Sequence, residues 1–366
     1  MRPPRKGWCP TALKPMASGD GLIVRLRPKF GRLTTNELLS IIDISEHYGN
    51  GLLDFTNRAN LQIRGVGEDQ LTSITEALYE KSLIDDRIEK FGGRNLILAP
   101  DWLDGGQTEN FAREFYDALN ELPELPSKFG FSIDIGADSL LGQVSSDIRL
   151  ERSNINGLVV RADGSAFGRK VSSKNAITAM FDMAKWFVKT DGFASGRMAH
   201  HLEKIHLPKS WQTTRPVGIP RNLSVDKIKV GVFLGIPFGQ MTTKALRDLV
   251  DETKSKAVRL TPWRSILLEG EDFAKSGNFT FRTLNKSPAL DACPGAPSCA
   301  SASVETRELA VTLAHKTLKP LHVSGCAKGC ARPKSAPVTV TGNNGKYDLI
   351  INGCAWDQPA KTGLSK

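Results

Sequence analysis

Apolar and polar residues alternate near the start of the chain in a way that predicts a β-α-β-β unit. In 21–26 the apolar side chains occupy alternate positions, as in a half-buried strand, and 36–47 places leucines and isoleucines on one helical face. Two more apolar stretches, 52–56 and 61–65, have the length and composition of strands. Thr34 followed by Glu37 is typical of a capping box, so the helix is expected to begin there.

The same unit returns in the second half of the chain. The sequence FGRLTT at 30–35 recurs as FGQMTT at 238–243, again before a helix-like segment, 244–254. Strand-like stretches follow at 258–261 and 266–270, with the same spacing of nine residues from threonine to glycine as in the first copy. A repeat of this kind predicts duplicated halves.

The residues between the two copies predict a further sheet and a long helix. Apolar stretches at 129–135, 147–150 and 158–161 indicate strands, and 175–189 carries an apolar stripe at helical spacing, which indicates a core-facing helix. The proline-rich stretch 207–220 is expected to link the halves. Strands and helices are mixed without regular alternation, so we expect an α+β fold.

Composition is that of a globular protein. The 366 residues are 40% hydrophobic and 24% charged, and no run of 18 apolar residues occurs, so we expect no membrane-spanning helix. The basic N-terminus lacks an apolar segment typical of a signal peptide, which argues against export. Six cysteines are too few for a disulfide scaffold. We therefore expect a cytoplasmic protein with reduced thiols.

The formal net charge of +10 favours an anionic partner: nucleic acid, an acidic membrane surface or a polyanionic small molecule. The basic residues are spread along the chain rather than gathered in one run, which disfavours nucleic acid. Arg25 and Arg27 alternate along a predicted strand, so both project from one face, as in a pocket lining. A merely basic surface is the alternative.

Four of the six cysteines form two close pairs. Cys293 and Cys299 enclose five residues, and Cys326 and Cys330 enclose three. Four thiolates on two loops rich in small residues suit an iron–sulfur cluster. A structural zinc ion is an alternative, although the five-residue gap exceeds the usual zinc spacing, and unrelated free thiols are another. We assign no role to Cys9 and Cys354.

These cysteine pairs and several other motifs resemble the sirohaem-dependent nitrite and sulfite reductases. The spacing of the pairs, the duplicated half and the sequence FTNRANLQIRG at 55–65 carry this resemblance, which extends over nearly the whole chain. Within that superfamily the chain is most similar to the precorrin-3B synthases of aerobic cobalamin biosynthesis. The pieces that carry this similarity are 19–22, 125–131, 292–302 and 322–331.

One departure separates the synthases from the reductases. Sulfite reductases carry a second lysine two residues after the one that Lys128 matches, and this chain has Gly130 there. Reduction of a small oxyanion needs a dense cationic pocket, so the missing lysine disfavours six-electron reduction. A sirohaem- and [4Fe–4S]-dependent nitrite or sulfite reductase is the first alternative. A zinc- or cluster-stabilised nucleic-acid-binding protein is the second.

The resemblance implies a nitrite/sulfite reductase-like architecture. Its two ferredoxin-like halves would be interleaved with α/β lobes that bind the cluster and the tetrapyrrole. We place the first half at 1–90, the first reductase-type lobe at 91–215, the second half at 216–285 and the iron–sulfur lobe at 286–366.

The resemblance also implies individual site residues. Catalytic roles fall to Arg58, Arg94 and Lys128, and substrate contacts to Asn57, Gln62, Arg64 and Arg264. A [4Fe–4S] cluster would be held by Cys293, Cys299, Cys326 and Cys330. In the reductases the cysteine that Cys330 matches also bridges the cluster to the sirohaem iron.

The implied reaction is that of the synthases, which use O2 and a reductant to hydroxylate C20 of precorrin-3A and form a γ-lactone. An additional iron or sirohaem is possible for such a family. Neither a dinucleotide-binding glycine motif nor a Walker motif occurs, so NADH electrons are expected to arrive through a partner reductase or ferredoxin. We expect His200, His201 and His206 to be surface residues and assign them no iron.

Overall fold

The computed structural model describes residues 9–90, 95–218, 227–270, 290–317 and 319–366. The strands are β1 (Met16–Ser18), β2 (Gly21–Leu26), β3 (Arg32–Thr34), β4 (Leu52–Phe55), β5 (Leu61–Val66), β6 (Asn95–Leu98), β7 (Gly130–Asp134), β8 (Ile148–Arg152), β9 (Leu158–Ala162), β10 (Arg169–Val171), β11 (Lys227–Ile228), β12 (Gly231–Gly235), β13 (Gln240–Thr242), β14 (Ala257–Leu260), β15 (Ser265–Glu269), β16 (Leu290–Ala292), β17 (Leu321–Ser324), β18 (Ala336–Asn343), β19 (Lys346–Gly353) and β20 (Lys361–Leu364). The helices are α1 (Thr35–Tyr48), α2 (Leu71–Glu80), α3 (Asp86–Lys90), α4 (Gln107–Asp117), α5 (Ala176–Lys189), α6 (Gly192–Ser195), α7 (Met198–Leu202), α8 (Thr243–Thr253) and α9 (Arg307–Ala314). No helix in these ranges is both long and apolar enough to cross a bilayer.

Two five-stranded sheets are built from the two copies of the repeat, and each sheet contains one strand of the other copy. The first sheet has the order β1-β2-β5-β4-β13, and the second has the order β11-β12-β15-β14-β3. Met241 of β13 lies opposite Leu53 of β4, and Leu33 of β3 lies opposite Val258 of β14, both in antiparallel pairs. The predicted duplication is confirmed. The reciprocal exchange of strands was not predicted, because it depends on long-range pairing.

Helices α1, α2 and α8 cover the apolar faces of these sheets. Thr34 caps α1: its side chain accepts from the Glu37 amide, and the Glu37 carboxylate accepts from the Thr34 amide, as the capping box predicts. The buried face of α1 includes Leu38 and Ile41, and α1 also packs against α8. Apolar residues of both copies thus form one continuous core.

The third sheet has the order β10-β9-β8-β7-β6 and packs against α4 and α5. It contains the three strands predicted between the copies, and α5 agrees with the predicted helix, with Phe181 and Phe187 fully buried. The segment expected to be a linker is described up to residue 218. It runs along the edge of the third sheet, where Thr214 pairs with Gly168 and Pro216 with Ser153.

The fourth sheet has the order β16-β17-β18-β19-β20, with α9 packed on β16 and β17. Because β16 and β17 are adjacent and parallel, the loops that follow them leave the sheet at the same edge. The division of the chain into four sequence segments stays a prediction. Two strands cross its boundaries, because β3 of the first half joins the second sheet and β13 of the second half joins the first sheet.

Candidate cysteine and arginine site

The four predicted cysteine ligands lie in the two loops that leave this edge of the fourth sheet. Cys293 and Cys299 follow β16, and Cys326 and Cys330 follow β17. None of the four forms a disulfide, and the Gly325 amide donates to Cys293 Sγ at 3.1 Å, which joins the loops at the buried thiol. We call the four residues and their loops the cysteine site.

The electrostatics of Cys293 show how close the loops are. Burial raises the pKa of the Cys293 thiol, the Gly325 and Gly295 amides lower it, and the nearby Cys299 and Cys330 raise it. Cys293 is therefore close to cysteines of both pairs. Within the part of the chain that the structure describes, no three Cys, His, Asp or Glu side chains form a ready site for a single metal ion.

The first sheet holds the loop that carries Cys299. The carbonyl oxygen of Ser298 accepts hydrogen bonds from Ser18 Oγ at 2.7 Å, from Arg64 Nη2 at 3.0 Å and from the Gly19 amide at 3.3 Å. Gly19 approaches this loop so closely that a Cβ atom on it would lie 2.1 Å from the Pro297 carbonyl oxygen. Only glycine fits this contact without moving the loop.

Arg64 lies at the centre of this connection. Its side chain is 3% exposed and forms ion pairs with Asp20 at 2.6 Å and with Asp54 at 2.8 Å, in addition to its bond to Ser298. The structure thus shows a residue that links the first sheet to the cysteine site. Its predicted contact with substrate stays a prediction.

A second connection comes from the other repeat copy. Arg264, which has a positive φ of 54°, donates to Asp291 at 3.4 Å and to the Ala331 carbonyl at 3.3 Å. Asp291 precedes Cys293 by two residues and also pairs with Arg332 at 2.9 Å, two residues after Cys330. This carboxylate therefore joins the segments that carry the two cysteine pairs.

Arg58 lies in a tight loop between β4 and β5. Thr56 Oγ1 accepts from the amides of Arg58 and Asn60, at 3.3 and 3.1 Å, and Asn95 Nδ2 donates to the Arg58 carbonyl at 2.8 Å. No described carboxylate forms an ion pair with the Arg58 guanidinium. The loop therefore fixes the backbone and leaves the charged group available.

Three other arginines surround Arg58, and together they form what we call the arginine cluster (Arg25, Arg27, Arg58 and Arg197). Burial lowers the pKa of Arg58, and Arg197 and Arg25 lower it too. Burial also lowers the pKa of Arg27 to about 10, with Arg25 and Arg58 acting in the same direction. These mutual effects show that the charges lie close together.

The cluster carries more positive than negative charge. Arg27 pairs with Glu89 at 3.5 Å and Arg197 with Asp147 at 2.9 Å. Arg25 is held by an amide, since its Nη2 donates to Gln62 Oε1 at 2.9 Å. Among the described residues, four guanidinium groups thus face two paired carboxylates, an excess of positive charge that an anion would balance.

For the remaining predicted site residues, the structure gives a position in the fold rather than a contact within the arginine cluster. Asn57 is exposed beside Arg58, and Lys128 is half-buried two residues before β7. Arg94 lies outside the described residues. The structure therefore brings Arg58 and Gln62 together with Arg25, while the predicted roles of Asn57, Arg94 and Lys128 stay predictions.

The expectation for the histidines was wrong at one position. His200 and His206 are exposed, but His201 is buried at 2% exposure. Its ring packs against Trp186 and Phe187, and its Nε2 is 2.8 Å from Thr190 Oγ1. Aromatic packing outweighs the polarity of the ring here, which the sequence of the short helix α7 did not reveal.

A row of polar residues that the sequence patterns did not predict crosses the first sheet. Arg25, Gln62, Asp54 and Gln240 are cross-strand neighbours on β2, β5, β4 and β13. Gln240 Nε2 donates to Asp54 Oδ1 at 2.7 Å, and its Oε1 accepts from Arg307 at the start of α9. The row runs from the arginine cluster toward the cysteine site.

The second copy of the repeat keeps only half of this row, since Arg259 and Arg32 occupy the positions of Asp54 and Gln240 and both pair with Glu269. The positions that correspond to Arg25, Gln62 and Arg58 hold apolar residues: Phe233, Leu267 and Trp263. Phe233 and Leu267 are buried together, and the Phe233 ring contacts Trp263. Among the described residues of the second copy, arginines like Arg25 and Arg58 therefore have no counterpart.

The chain is similar to known proteins along most of its length. Residues 14–81 match the family model of the nitrite/sulfite reductase ferredoxin-like half domain. A protein from Sinorhizobium sp described as precorrin-3B synthase is 28% identical, and the match covers 97% of this chain and 85% of that protein. A ferredoxin–nitrite reductase from Synechococcus elongatus is 23% identical over 94% of this chain and 80% of that protein.

A solved structure shows the same fold. The Mycobacterium tuberculosis NirA protein matches with a TM-score of 0.56 and 17% sequence identity, over 90% of this chain and 74% of that one. The comparisons confirm the nitrite/sulfite reductase-like fold and the resemblance inferred from the motifs.

Proposed function

We propose that this chain is a precorrin-3B synthase-like oxidoreductase. It would bind precorrin-3A or a close relative in the arginine cluster and act as an O2-dependent monooxygenase, adding oxygen at C20 and forming a lactone. The observation that carries the proposal is the continuity of the arginine cluster with the cysteine site. The similarity to the Sinorhizobium precorrin-3B synthase over nearly the full chain supports it.

The arginine cluster suits the carboxylate rim of a tetrapyrrole. A guanidinium group presents donors in a planar fork that matches a carboxylate, and such charge-assisted pairs are strong. Arg58 and Arg25 have no carboxylate ion pair among the described residues, and burial lowers the pKa of both. An anionic substrate would supply the missing countercharge and relieve the mutual repulsion of the cluster.

The cysteine site suits an iron–sulfur cluster. The donor set is four thiols, one for each iron of a [4Fe–4S] cluster, and the Gly325 amide already donates to the Cys293 sulfur. Such a cluster supplies electrons one at a time. Cys293, Cys299, Cys326 and Cys330 would hold it, and Ser18, Gly19 and Arg64 would keep the Cys299 loop in place.

The absence of a side chain at Gly130 favours the synthase over the reductase. Its buried amide donates to Asp147 at 2.9 Å, and Asp147 also pairs with Arg197 of the arginine cluster. Gly130 itself offers no cation where the reductases carry a second lysine. We infer that the arginine cluster binds the carboxylates of a large anion rather than concentrating charge on a small oxyanion.

The partners follow from the same proposal. The chain would receive electrons that originate in NADH from a separate reductase or ferredoxin in the cytoplasm. An additional iron would serve O2 chemistry. Neither nucleic acid nor a membrane is needed.

Extraction of bound pigment tests the proposal. Protein purified anaerobically is expected to contain iron and sulfide, to lack stoichiometric sirohaem and to convert precorrin-3A only when O2 and a reductant are present. Stoichiometric sirohaem together with dye-driven reduction of nitrite or sulfite would establish the reductase instead. Zinc without iron or sulfide would reject the cluster.

A substitution at Arg58 tests the substrate site. Arg58→Ala is expected to weaken binding of the tetrapyrrole by about 10- to 150-fold, since loss of a charge-assisted hydrogen bond costs about 1.5–3 kcal/mol. Arg58→Lys should restore part of the affinity, because it keeps the charge without the planar fork. The exposed Arg113 provides the matched control, Arg113→Ala. Equal affinity of Arg58→Ala and wild type would remove Arg58 from the site.

A further inference from the structure

Arg307 is a partly buried cation that no described carboxylate pairs with. It begins α9, which packs on the two strands that lead into the cysteine loops. Its Nη1 donates to Gln240 Oε1, and its Nε is buried without a hydrogen-bond partner in the described ranges. The neighbouring Arg264 and Arg332, by contrast, both pair with Asp291.

The hydrogen-bond partner of Arg307 is the uncharged amide of Gln240, and a second hydrogen bond fixes the orientation of that amide. Gln240 donates its amide nitrogen to Asp54 Oδ1 at 2.7 Å, so its amide oxygen faces Arg307. Asp54 is itself engaged by Arg64 at 2.8 Å. The Gln240 amide therefore stands between the Asp54 carboxylate and Arg307, and it fixes the guanidinium without cancelling its charge.

Arg307 lies beside the cysteine site, because the residue before it, Thr306, donates its Oγ1 hydroxyl to the Cys293 carbonyl oxygen at 2.5 Å. Burial lowers the pKa of Arg307, as do Arg64 and Arg264, whereas Asp54 and Cys293 raise it. Cys293 is the most buried of the four cysteines and accepts the Gly325 amide. The positive charge of Arg307 thus acts on the thiol that lies deepest in the site.

We propose that Arg307 is a positioning residue that raises the reduction potential of the cluster by holding an unneutralised positive charge beside Cys293. The inference rests on the proposed function, because it requires a cluster at the cysteine site. Reduction adds one electron to an already anionic group of iron, sulfide and thiolate, and the reduced form is stabilised more by a nearby cation. The Gln240 amide keeps that cation in place.

A redox titration of anaerobically purified holoprotein, monitored by electron paramagnetic resonance, tests the inference. Wild type is compared with Arg307→Gln, Arg307→Lys and the surface control Arg247→Gln. At the wild-type midpoint potential, Arg307→Gln is expected to have a reduced-to-oxidised ratio about tenfold lower, the size of effect that a nearby buried charge has on an ionisation. Arg307→Lys and Arg247→Gln should stay near the wild-type ratio.

The outcomes separate this inference from the proposed function. An unchanged potential in Arg307→Gln, with full iron and sulfide content, overturns the inference and leaves the cluster in place. Wild-type protein without iron or sulfide overturns both. If Arg307→Gln loses the cluster, Arg307→Lys decides: retention at the wild-type potential supports the role of charge, and loss there overturns it.

Discussion

Replacement of Gly19 by alanine is expected to disrupt the cysteine site while leaving the fold intact. The added Cβ would lie 2.1 Å from the Pro297 carbonyl oxygen and 3.1 Å from the Cys299 amide nitrogen. Both atoms belong to the backbone, so no side-chain rotation relieves the contact, and the loop must retreat by roughly 1 Å to reach a normal separation. Metal–ligand distances tolerate only about 0.2 Å. Cys299 would therefore leave its ligating position.

The energetic scale explains why the fold should survive. Overpacking of this kind costs about 1–3 kcal/mol, which is less than the roughly 5–15 kcal/mol that holds a typical protein folded. We expect Gly19→Ala to give folded protein by circular dichroism with a strongly reduced iron and sulfide content after anaerobic purification. Gly218→Ala is the matched control, since a Cβ there meets nothing within 4 Å. Wild-type iron and sulfide in Gly19→Ala would refute the role given to this contact.

Three further substitutions test other parts of the structure. Serine at any one of the four site cysteines should abolish bound iron and sulfide, because each iron needs its thiolate. Cys9→Ser should retain both, and an equal loss of iron and sulfide in Cys9→Ser would contradict the ligand assignment. Arg64→Met removes a buried cation that faces two carboxylates, so denaturant unfolding should show a free energy of unfolding lower by about 3–5 kcal/mol. Arg113→Met is the exposed control, and an unchanged free energy of unfolding in Arg64→Met would contradict the prediction. Burial lowers the pKa of His322 from 6.5 to about 4, so on acidification the unfolded chain binds the proton at a higher pH than the folded chain does. The free energy of unfolding should therefore fall by about 1.4 kcal/mol per pH unit as the pH drops from 6.5 to 4. Unfolding curves across that range should be flatter for His322→Gln, and an identical slope would show that His322 is not the titrating group.

Local patterns were sufficient for the β-α-β-β unit and its duplication. The alternation in β2, the stripe of α1 and its capping box all depend on residues within a few positions of each other, and the structure has them where the sequence predicts. The alternation also puts Arg25 and Arg27 on one face. The spacing of the cysteine pairs predicts two ligand loops, and only the structure shows that each loop follows a strand and that the two strands are adjacent and parallel.

Only the tertiary structure determined which residues from distant segments meet at the site. Gln240 lies beside Asp54 because β13 joins the sheet of the other repeat copy, and no local pattern indicates that exchange. Arg64 appears in sequence as one more basic strand residue, yet its partners Asp20, Asp54 and Ser298 come from three separate segments.

The physical reason is the separation along the chain of the residues that interact. Side-chain direction follows from a backbone period of two or 3.6 residues, so the sequence alone determines which residues share a face. The choice of neighbouring strand depends on burying a whole apolar face at once, and here residues of both copies complete a single core. Whether an arginine such as Arg64 or Arg307 meets a carboxylate, an amide or a cysteine loop is decided by that packing, and so only the folded chain determines its chemistry.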